Sequence, residues 1–280
     1  MKRLKIIVFG GALAYLAVAS FLYFTQRQIL YFPPKIYVTP QAAGVDMEEV
    51  TVKVETDITF WYRAPQNERA PVIMFFHGNG SALYSNSHIF KDLIADGYGV
   101  LSVGYVGYPG SDGKPAQNRI VQAAKFQREW LAGKGISDDR IVYFGTSIGS
   151  GVAAQLTALK PPVLLIMDAP FNSTLDMAKM RVPFLPHSIL MKDQFRSDVA
   201  LKTYNGPMIW MHGTADRIVP ISQGQKLYDG YDGPKSSHIF EGGHHSNLWG
   251  LGARDVVLSR LREAFPSLPN DEVEIKNGKD

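Results

Sequence analysis

The sequence predicts an α/β fold built on a doubly wound, mostly parallel sheet, with a small helical cap and a transmembrane helix in front of it. Short, almost wholly apolar runs are typical of strands buried on both faces of such a sheet. These runs occupy residues 72–76, 100–103, 141–144, 163–167 and 208–211. Segments of helical character alternate with them, at residues 87–95, 116–132, 148–159, 222–228 and 253–264. This alternation of strand and helix is what favours the α/β class.

A two-stranded hairpin is predicted ahead of the parallel strands. Residues 50–54 alternate between apolar and polar side chains, and residues 58–62 are rich in β-branched and aromatic residues. Alternation at a period of two indicates a strand with one face buried. We therefore expect these two segments to pair as an antiparallel hairpin.

The N-terminal region has the composition of a membrane anchor. Residues 6–24 carry no charge, and at about 1.5 Å per residue they are long enough to span the ~30 Å hydrocarbon core. Lys2, Arg3 and Lys5 precede this stretch. The positive-inside rule then predicts a single-pass protein with a cytoplasmic N-terminus and the rest of the chain on the non-cytoplasmic side, in the periplasm or a lumen.

A cleaved signal peptide is the alternative for the same segment. Ala17, Val18 and Ala19 stand before Ser20 and resemble a small-x-small cleavage site, which would give a secreted protein. Aromatic residues concentrate toward the C-terminal end of the segment, where their amphipathic rings favour a membrane interface. The anchor is therefore the preferred interpretation.

The predicted organisation is one folded domain with appendages. The boundaries are an anchor at residues 1–25, a proline-containing linker at 26–44, the folded domain at 45–266 and a polar tail at 267–280. Residues 169–206 break the strand and helix rhythm. A long insertion of this kind is typical of a lid over a site, although a pair of helices completing the cover of the sheet explains it equally well.

Composition excludes several classes of function. The 29 Lys and Arg residues against 26 Asp and Glu residues leave a net charge of +3, scattered along the chain except at the N-terminus. No basic patch for a nucleic acid is therefore indicated, and no nucleic-acid partner is expected. The absence of cysteine excludes disulfides, thiol catalysis and thiolate metal sites.

A serine stands where a strand turns into a helix. The segment from Gly145 to Gly149 reads Gly-Thr-Ser-Ile-Gly and follows the apolar run 141–144, with a helical run after it. A serine on such a turn adopts a strained backbone, and the glycines two positions away avoid collisions with neighbouring backbone. Ser147 is therefore the candidate nucleophile.

A serine nucleophile needs a base, and the base needs an acid that fixes its tautomer. Asp216 and His244 both follow predicted strands, in the chain order serine, acid, histidine. Asp168, at the end of another strand, is a rival acid, and His245 is a rival base. We favour Asp216 because its strand directly precedes that of the histidine, and His244 because the Gly242-Gly243 pair leads to it first.

The segment from His77 to Gly80 reads His-Gly-Asn-Gly and follows the strand at 72–76. Backbone N–H groups at this point and directly after the nucleophile can bind a developing oxyanion. The predicted donors are Asn79 and Ile148, and His77 is expected to pack the loop. The remaining histidines lack metal-ligand spacing, so neither a metal nor a cofactor is expected.

Together these motifs make the chain similar to the membrane-anchored branch of α/β hydrolases that includes the α/β-hydrolase-domain depalmitoylases. Further segments carry the resemblance, at residues 28–33, 104–111 and 212–220. The resemblance implies a Ser147, Asp216 and His244 triad, a membrane anchor and no cofactor. The sequence departs from the family pattern at Val106, where Arg is usual, and at His245, where Asn is common.

The predicted activity is that of a serine hydrolase. It would cleave a carboxylic ester or thioester through an acyl-enzyme, on a small-molecule or lipid-linked acyl substrate. The alternatives are an inactive membrane-anchored binding module of the same fold, or an acyltransferase or peptidase that uses the same triad.

Overall fold

Eight strands form one sheet in the computed structural model, which describes residues 1–266. They are β1 (Glu48–Lys53), β2 (Asp57–Arg63), β3 (Val72–Phe76), β4 (Gly99–Ser102), β5 (Ile141–Thr146), β6 (Leu164–Asp168), β7 (Met208–Gly213) and β8 (Lys235–Phe240). Their order in the sheet is β1-β2-β4-β3-β5-β6-β7-β8. Strands β1 and β2 form the predicted antiparallel hairpin, β2 is antiparallel to β4, and the strands from β4 to β8 are parallel.

Nine α-helices accompany the sheet within residues 1–266. They are α1 (Lys2–Leu30), α2 (Ser87–Ala95), α3 (Gln117–Gly133), α4 (Ile148–Thr157), α5 (Thr174–Arg181), α6 (His187–Leu190), α7 (Ser197–Ala200), α8 (Ile221–Asp229) and α9 (Ala253–Ala264). Helices α3, α4 and α8 contribute to one apolar cluster, and α2 and α9 to the other. The predicted doubly wound, mostly parallel sheet is confirmed.

Strand β3 shows why the central strands are apolar throughout. Val72, Met74 and Phe76 belong to the cluster on one face of the sheet, and Ile73 and Phe75 to the cluster on the other. Because successive side chains of a strand point to opposite faces, a strand covered on both sides needs apolar residues at every position. This strand ends directly before the His77 loop, and β5 ends directly before Ser147.

Helix α1 is long and apolar enough to cross a membrane, and it is longer than the sequence predicted. The predicted linker at 26–44 is wrong for its first five residues, because α1 continues to Leu30. The added turns are held by long-range contacts, since Arg27 Nε and Nη2 donate to the two carboxylate oxygens of Asp193 at 2.7 and 3.1 Å. The predicted polar tail, 267–280, lies outside the described residues.

One face of the C-terminal half of α1 rests against the folded domain. Ala19, Leu22, Tyr23, Gln26 and Leu30 are half-buried, and their spacing of three and four residues places them on one side of the helix. Their neighbours in the region 169–206 are α5, α6 and the loops beside them. Helix α7, in the same region, packs instead on α4.

Candidate active site

Ser147 lies on a strained turn between β5 and α4. Its φ of 52° and ψ of −122° place a non-glycine residue in a backbone region that costs about 1–3 kcal/mol. A Cβ on Gly149 would stand 2.0 Å from the carbonyl oxygen of Phe76, and one on Gly145 would stand 2.6 Å from a backbone atom of α4. Only glycine fits at these two positions, so the sequence motif is explained by close packing around Ser147.

Asp216 is the centre of a hydrogen-bonded cluster in the loop after β7. His245 Nδ1 lies 2.7 Å from its Oδ2, and the N–H groups of Ile218 and Val219 donate to its Oδ1 at 2.8 and 2.9 Å. His212 Nε2 is 3.5 Å from Oδ2. Burial favours the neutral acid, yet the hydrogen bonds from His212, His245 and Val219 outweigh it and hold the Asp216 pKa well below its ordinary value.

The predicted pairing of His244 with Asp216 is wrong, because the adjacent His245 makes this contact. The His244 side chain is exposed, with its Nδ1 3.3 Å from the carbonyl oxygen of Ala215. Its backbone N–H donates to Asn247 Oδ1 at 2.7 Å. A turn begins at Gly242, which has a φ of 68°. In this turn the His244 backbone is bonded to Asn247, and the His245 ring reaches the Asp216 carboxylate.

The rival acid, Asp168, has a different environment at the end of β6. Its backbone carbonyl accepts a hydrogen bond from the N–H of Ser147 at 2.9 Å, which ties the nucleophile turn to the neighbouring strand. Its Oδ1 is buried without a hydrogen-bond partner within residues 1–266. Burial raises the pKa of Asp168 to about 7. Asp216, and not Asp168, is the carboxylate bonded to a histidine.

The loop after β3 is held by aromatic packing. His77 is buried, with its ring centroid 4.0 Å from that of Tyr105, and Tyr105 donates its hydroxyl hydrogen to the His77 carbonyl oxygen at 3.1 Å. Burial lowers the pKa of His77 to about 4, so the ring is neutral at pH 7. His77 thus packs the loop, as expected from the sequence.

The Asn79 side chain joins this loop to the end of α1. Its Oδ1 accepts hydrogen bonds from the N–H of Phe32 at 2.8 Å and from the Tyr108 hydroxyl at 2.9 Å. Its Nδ2 donates to the carbonyl oxygen of Leu30. Both the oxygen and the nitrogen of this amide are therefore bonded, which helps to fix the position of the Asn79 backbone.

The two predicted oxyanion donors lie beside the nucleophile. Asn79, Ser147 and Ile148 all line one cavity. Within the part of the chain that the structure describes, neither the Asn79 nor the Ile148 backbone N–H donates a hydrogen bond to another residue. Both N–H groups are therefore free of hydrogen-bond partners among the described residues.

The cavity beside Ser147 has a volume of about 500 Å³, which is within the ~300–1,000 Å³ range of small-molecule sites. Its walls are mainly apolar and come from both α1 and the segment around α5 and α6. Leu22 and Tyr23 represent the first wall, and Met177, Leu185 and Leu190 the second. Within residues 1–266, no group of three or more His, Cys, Asp or Glu side chains is arranged so that it could hold a metal ion.

Comparison with known proteins identifies the fold family. A family model described as the alpha/beta hydrolase fold matches residues 71–189. An uncharacterized protein of Mycobacterium tuberculosis is 30% identical over 270 residues, which cover 94% of this chain and 95% of that protein. The chain belongs to the α/β-hydrolase superfamily.

Named relatives of this α/β hydrolase include a lipase. The lysophosphatidylserine lipase ABHD12 of Danio rerio is 29% identical over 189 residues, covering 60% of this chain but only 49% of the lipase. The α/β-hydrolase domain-containing protein WAV2 of Arabidopsis thaliana is 27% identical, with 91% of each chain covered. Family and relatives together support hydrolase activity.

Solved structures show the same fold. A Pyrococcus furiosus esterase superposes with a TM-score of 0.66 at 16% identity, covering 84% of this chain and 98% of its own. An α/β hydrolase from Vibrio vulnificus gives a TM-score of 0.64 at 24% identity, with 84% and 90% covered.

Proposed function

We propose that this α/β hydrolase is a serine esterase whose triad is Ser147, His245 and Asp216. The observation that carries the proposal is the 2.7 Å contact between His245 Nδ1 and Asp216 Oδ2. This contact fixes the tautomer of His245, so that Nδ1 carries a hydrogen and Nε2 can accept one. Asp216, held ionised by its hydrogen bonds, stabilises the imidazolium that forms when Nε2 is protonated.

In the first half of the reaction, Ser147 Oγ attacks the acyl carbonyl carbon while His245 Nε2 takes the hydroxyl proton. The electron pair of the carbonyl π bond moves to oxygen, and the free N–H groups of Asn79 and Ile148 bind the resulting oxyanion. Such donors are worth about 3–4 kcal/mol each in comparable enzymes. Collapse of the intermediate breaks the bond to the leaving alcohol or thiol, which receives the proton from His245.

In the second half, His245 accepts a proton from water, and the hydroxide oxygen attacks the acyl-enzyme. Collapse of the second intermediate breaks the bond between the acyl carbon and Ser147 Oγ and returns the proton to Ser147. The products are a carboxylic acid and the regenerated enzyme. Both halves use the same oxyanion donors.

The substrate we propose is an acyl ester or thioester with a lipid-like chain. The apolar cavity next to Ser147 supports an acyl group of substantial length. A relative that carries the name of a lysophosphatidylserine lipase supports a lipid ester in particular. We further propose that α1 crosses the membrane, with Lys2, Arg3 and Lys5 on the cytoplasmic side and the hydrolase domain on the other.

A fluorophosphonate probe tests the nucleophile directly, because it phosphonylates an activated serine. The full-length protein in detergent should be labelled, and Ser147→Ala should lose labelling and ester turnover. Ser259→Ala, on the exposed face of α9, is the matched control and should keep both. Absence of labelling in the wild-type protein, or labelling retained by Ser147→Ala, would overturn the proposal.

A further inference from the structure

Contacts with α1 show where the segment 177–191 lies along the axis of that helix. Tyr15 donates its hydroxyl hydrogen to the Phe184 carbonyl oxygen at 3.2 Å. Lys192 Nζ lies 4.1 Å from the centre of the Tyr23 ring. Tyr15 and Tyr23 are eight residues apart, which is roughly 12 Å along a helix. Phe184 therefore lies about that much farther along α1, toward its N-terminus, than Lys192 does.

In both α1 and the neighbouring segment, the uncharged stretch ends at about the same position along the α1 axis. In α1, the apolar run ends at Phe24 and the uncharged run at Gln26, and Arg27 follows, paired with Asp193. In the neighbouring segment, residues 182–191 carry no Asp, Glu, Lys or Arg, and Arg181 and Lys192 stand at their ends. We call residues 182–191 the lid tip. If the uncharged part of α1 crosses a membrane, the lid tip lies beside it at the depth of the hydrocarbon.

The lid tip exposes large apolar side chains, as expected for a segment at the depth of the hydrocarbon. Phe184 and Ile189 are 63% and 80% exposed, and neither lines the cavity. In water, two large apolar side chains directed outward on one short segment contribute nothing to folding, whereas in lipid they are stabilised.

Several backbone carbonyls of the lid tip accept hydrogen bonds from side chains, and a lipid environment favours such pairing. Pro183 and Pro186 have no N–H to satisfy. His187 Nε2 lies 2.6 Å from the Val182 carbonyl oxygen. Side chains of α1 and of Gln194 donate to further carbonyls of the segment at 3.1–3.2 Å.

The cavity lies between the lid tip and α1. Leu22 and Tyr23 on one wall, and Leu185 and Leu190 on the other, connect this apolar space to Ser147. We propose that the lid tip is immersed in the membrane leaflet next to the hydrolase domain, and that the acyl chain of a membrane lipid enters the cavity laterally from this leaflet. The membrane helix is then a wall of the substrate site as well as a tether. This inference rests on the proposed serine esterase activity and on α1 crossing the membrane.

The absence of native cysteine allows a single probe to report the depth of the lid tip. Phe184→Cys and Ile189→Cys, each labelled with an environment-sensitive fluorophore, are placed as full-length protein in phosphatidylcholine vesicles. We expect stronger quenching by nitroxides on the acyl chains than by nitroxides on the headgroups. Glu68 is exposed and precedes β3, at the end of the strands opposite to Ser147. Glu68→Cys should therefore show no quenching by acyl-chain nitroxides. Equal responses at all three positions would overturn the immersion.

A second experiment tests lateral entry through activity. Phe184→Asp and Ile189→Asp place a charge where hydrocarbon is expected, so turnover of a long-chain acyl ester embedded in the vesicles should fall about tenfold or more. Turnover of a water-soluble short-chain ester should stay within about twofold of wild type, which also shows that the variants fold. Unchanged turnover of both substrates would overturn lateral entry. Failure of the underlying esterase proposal would be recognised separately, because the wild-type protein would then hydrolyse neither ester.

Discussion

The nucleophile turn and the cavity beside it are built in opposite ways. At the turn, the positions of Ser147 and its glycines are decided by neighbours on adjoining strands, and the residues are buried or nearly so. The cavity walls come from segments far apart in the chain: the hydrogen bond from Tyr15 to Phe184 joins positions 169 residues apart. The turn at Ser147 is therefore specified by close packing around it, whereas the cavity depends on the docking of α1 against an irregular segment.

The largest effect is expected at the histidine pair. His245→Ala should lower kcat by about 10³–10⁴-fold, because it removes the group that we propose as general base. His244→Ala, one residue away and exposed, should stay within about tenfold of wild type. Ester turnover of the two purified variants measures the difference. If His244→Ala were as inactive as His245→Ala, the assignment of the base would have to be abandoned.

Gly149→Ala tests how tightly the nucleophile turn is packed. Its new Cβ would stand 2.0 Å from the Phe76 carbonyl oxygen, so we expect a loss of about 3 kcal/mol or more in the free energy of unfolding. Gly133→Ala has no atom within 4 Å of the added Cβ and should change stability by about 1 kcal/mol or less. Thermal unfolding in detergent measures both. Similar midpoints for the two variants would contradict the close packing.

The loop after β3 should make the protein sensitive to acid through His77. The pKa of His77 is about 4 in the folded protein, against an ordinary value of 6.5. Between these values the unfolded chain binds a proton that the folded chain does not, so stability falls as the pH drops from about 6.5 to about 4. The loss attributable to His77 is up to about 3 kcal/mol.

His77→Phe removes this titration while keeping an aromatic ring against Tyr105. The unfolding free energy of the variant should therefore gain on that of wild type as the pH is lowered from 7 to 4. Denaturant unfolding at several pH values provides the comparison. Parallel curves for the two proteins would show that His77 does not carry the acid sensitivity.

The smallest effect is expected from a substitution in the cavity wall, which should change the selectivity between long-chain and short-chain esters. Ala178 lines the cavity on the side of α5, so Ala178→Phe fills part of the space proposed for the acyl chain. Turnover of long-chain esters should fall about tenfold, with short-chain turnover within about twofold of wild type. Ala132→Phe, on the exposed side of α3, serves as the control. Loss of both activities would show that Ala178→Phe disturbs folding, and would contradict a place for Ala178 in the substrate site.

The sequence predicted the elements that depend on local patterns. Strands β3 and β5 and helices α2 and α9 begin where expected, because apolar runs and helical periodicity record burial directly. Asp216 and Ser147 lie at the predicted edge of the sheet for the same reason. The end of α1 was not predictable, because its last turn is held by Asp193, more than 160 residues away in the chain.

The sequence could not predict which of His244 and His245 contacts Asp216, for a different reason. Neighbouring residues in an extended loop direct their side chains to different sides, so a single hydrogen bond decides which ring reaches the acid. Here Asn247 binds the backbone of His244, and Gly242 adopts a left-handed conformation. Two imidazoles in succession carry no pattern that reports this geometry.

The contacts of Asn79 have a practical consequence for the preparation of this protein without its apolar N-terminal helix. Its side chain joins the loop after β3 to Leu30 and Phe32, so the last turn of α1 belongs to the folded domain. A truncation that starts after Phe32 would remove partners of Asn79 and expose one side of the cavity. A water-soluble form should therefore start no later than Ala19, the first residue of α1 that lines the cavity, with polar residues replacing the outward-facing apolar side chains that are kept.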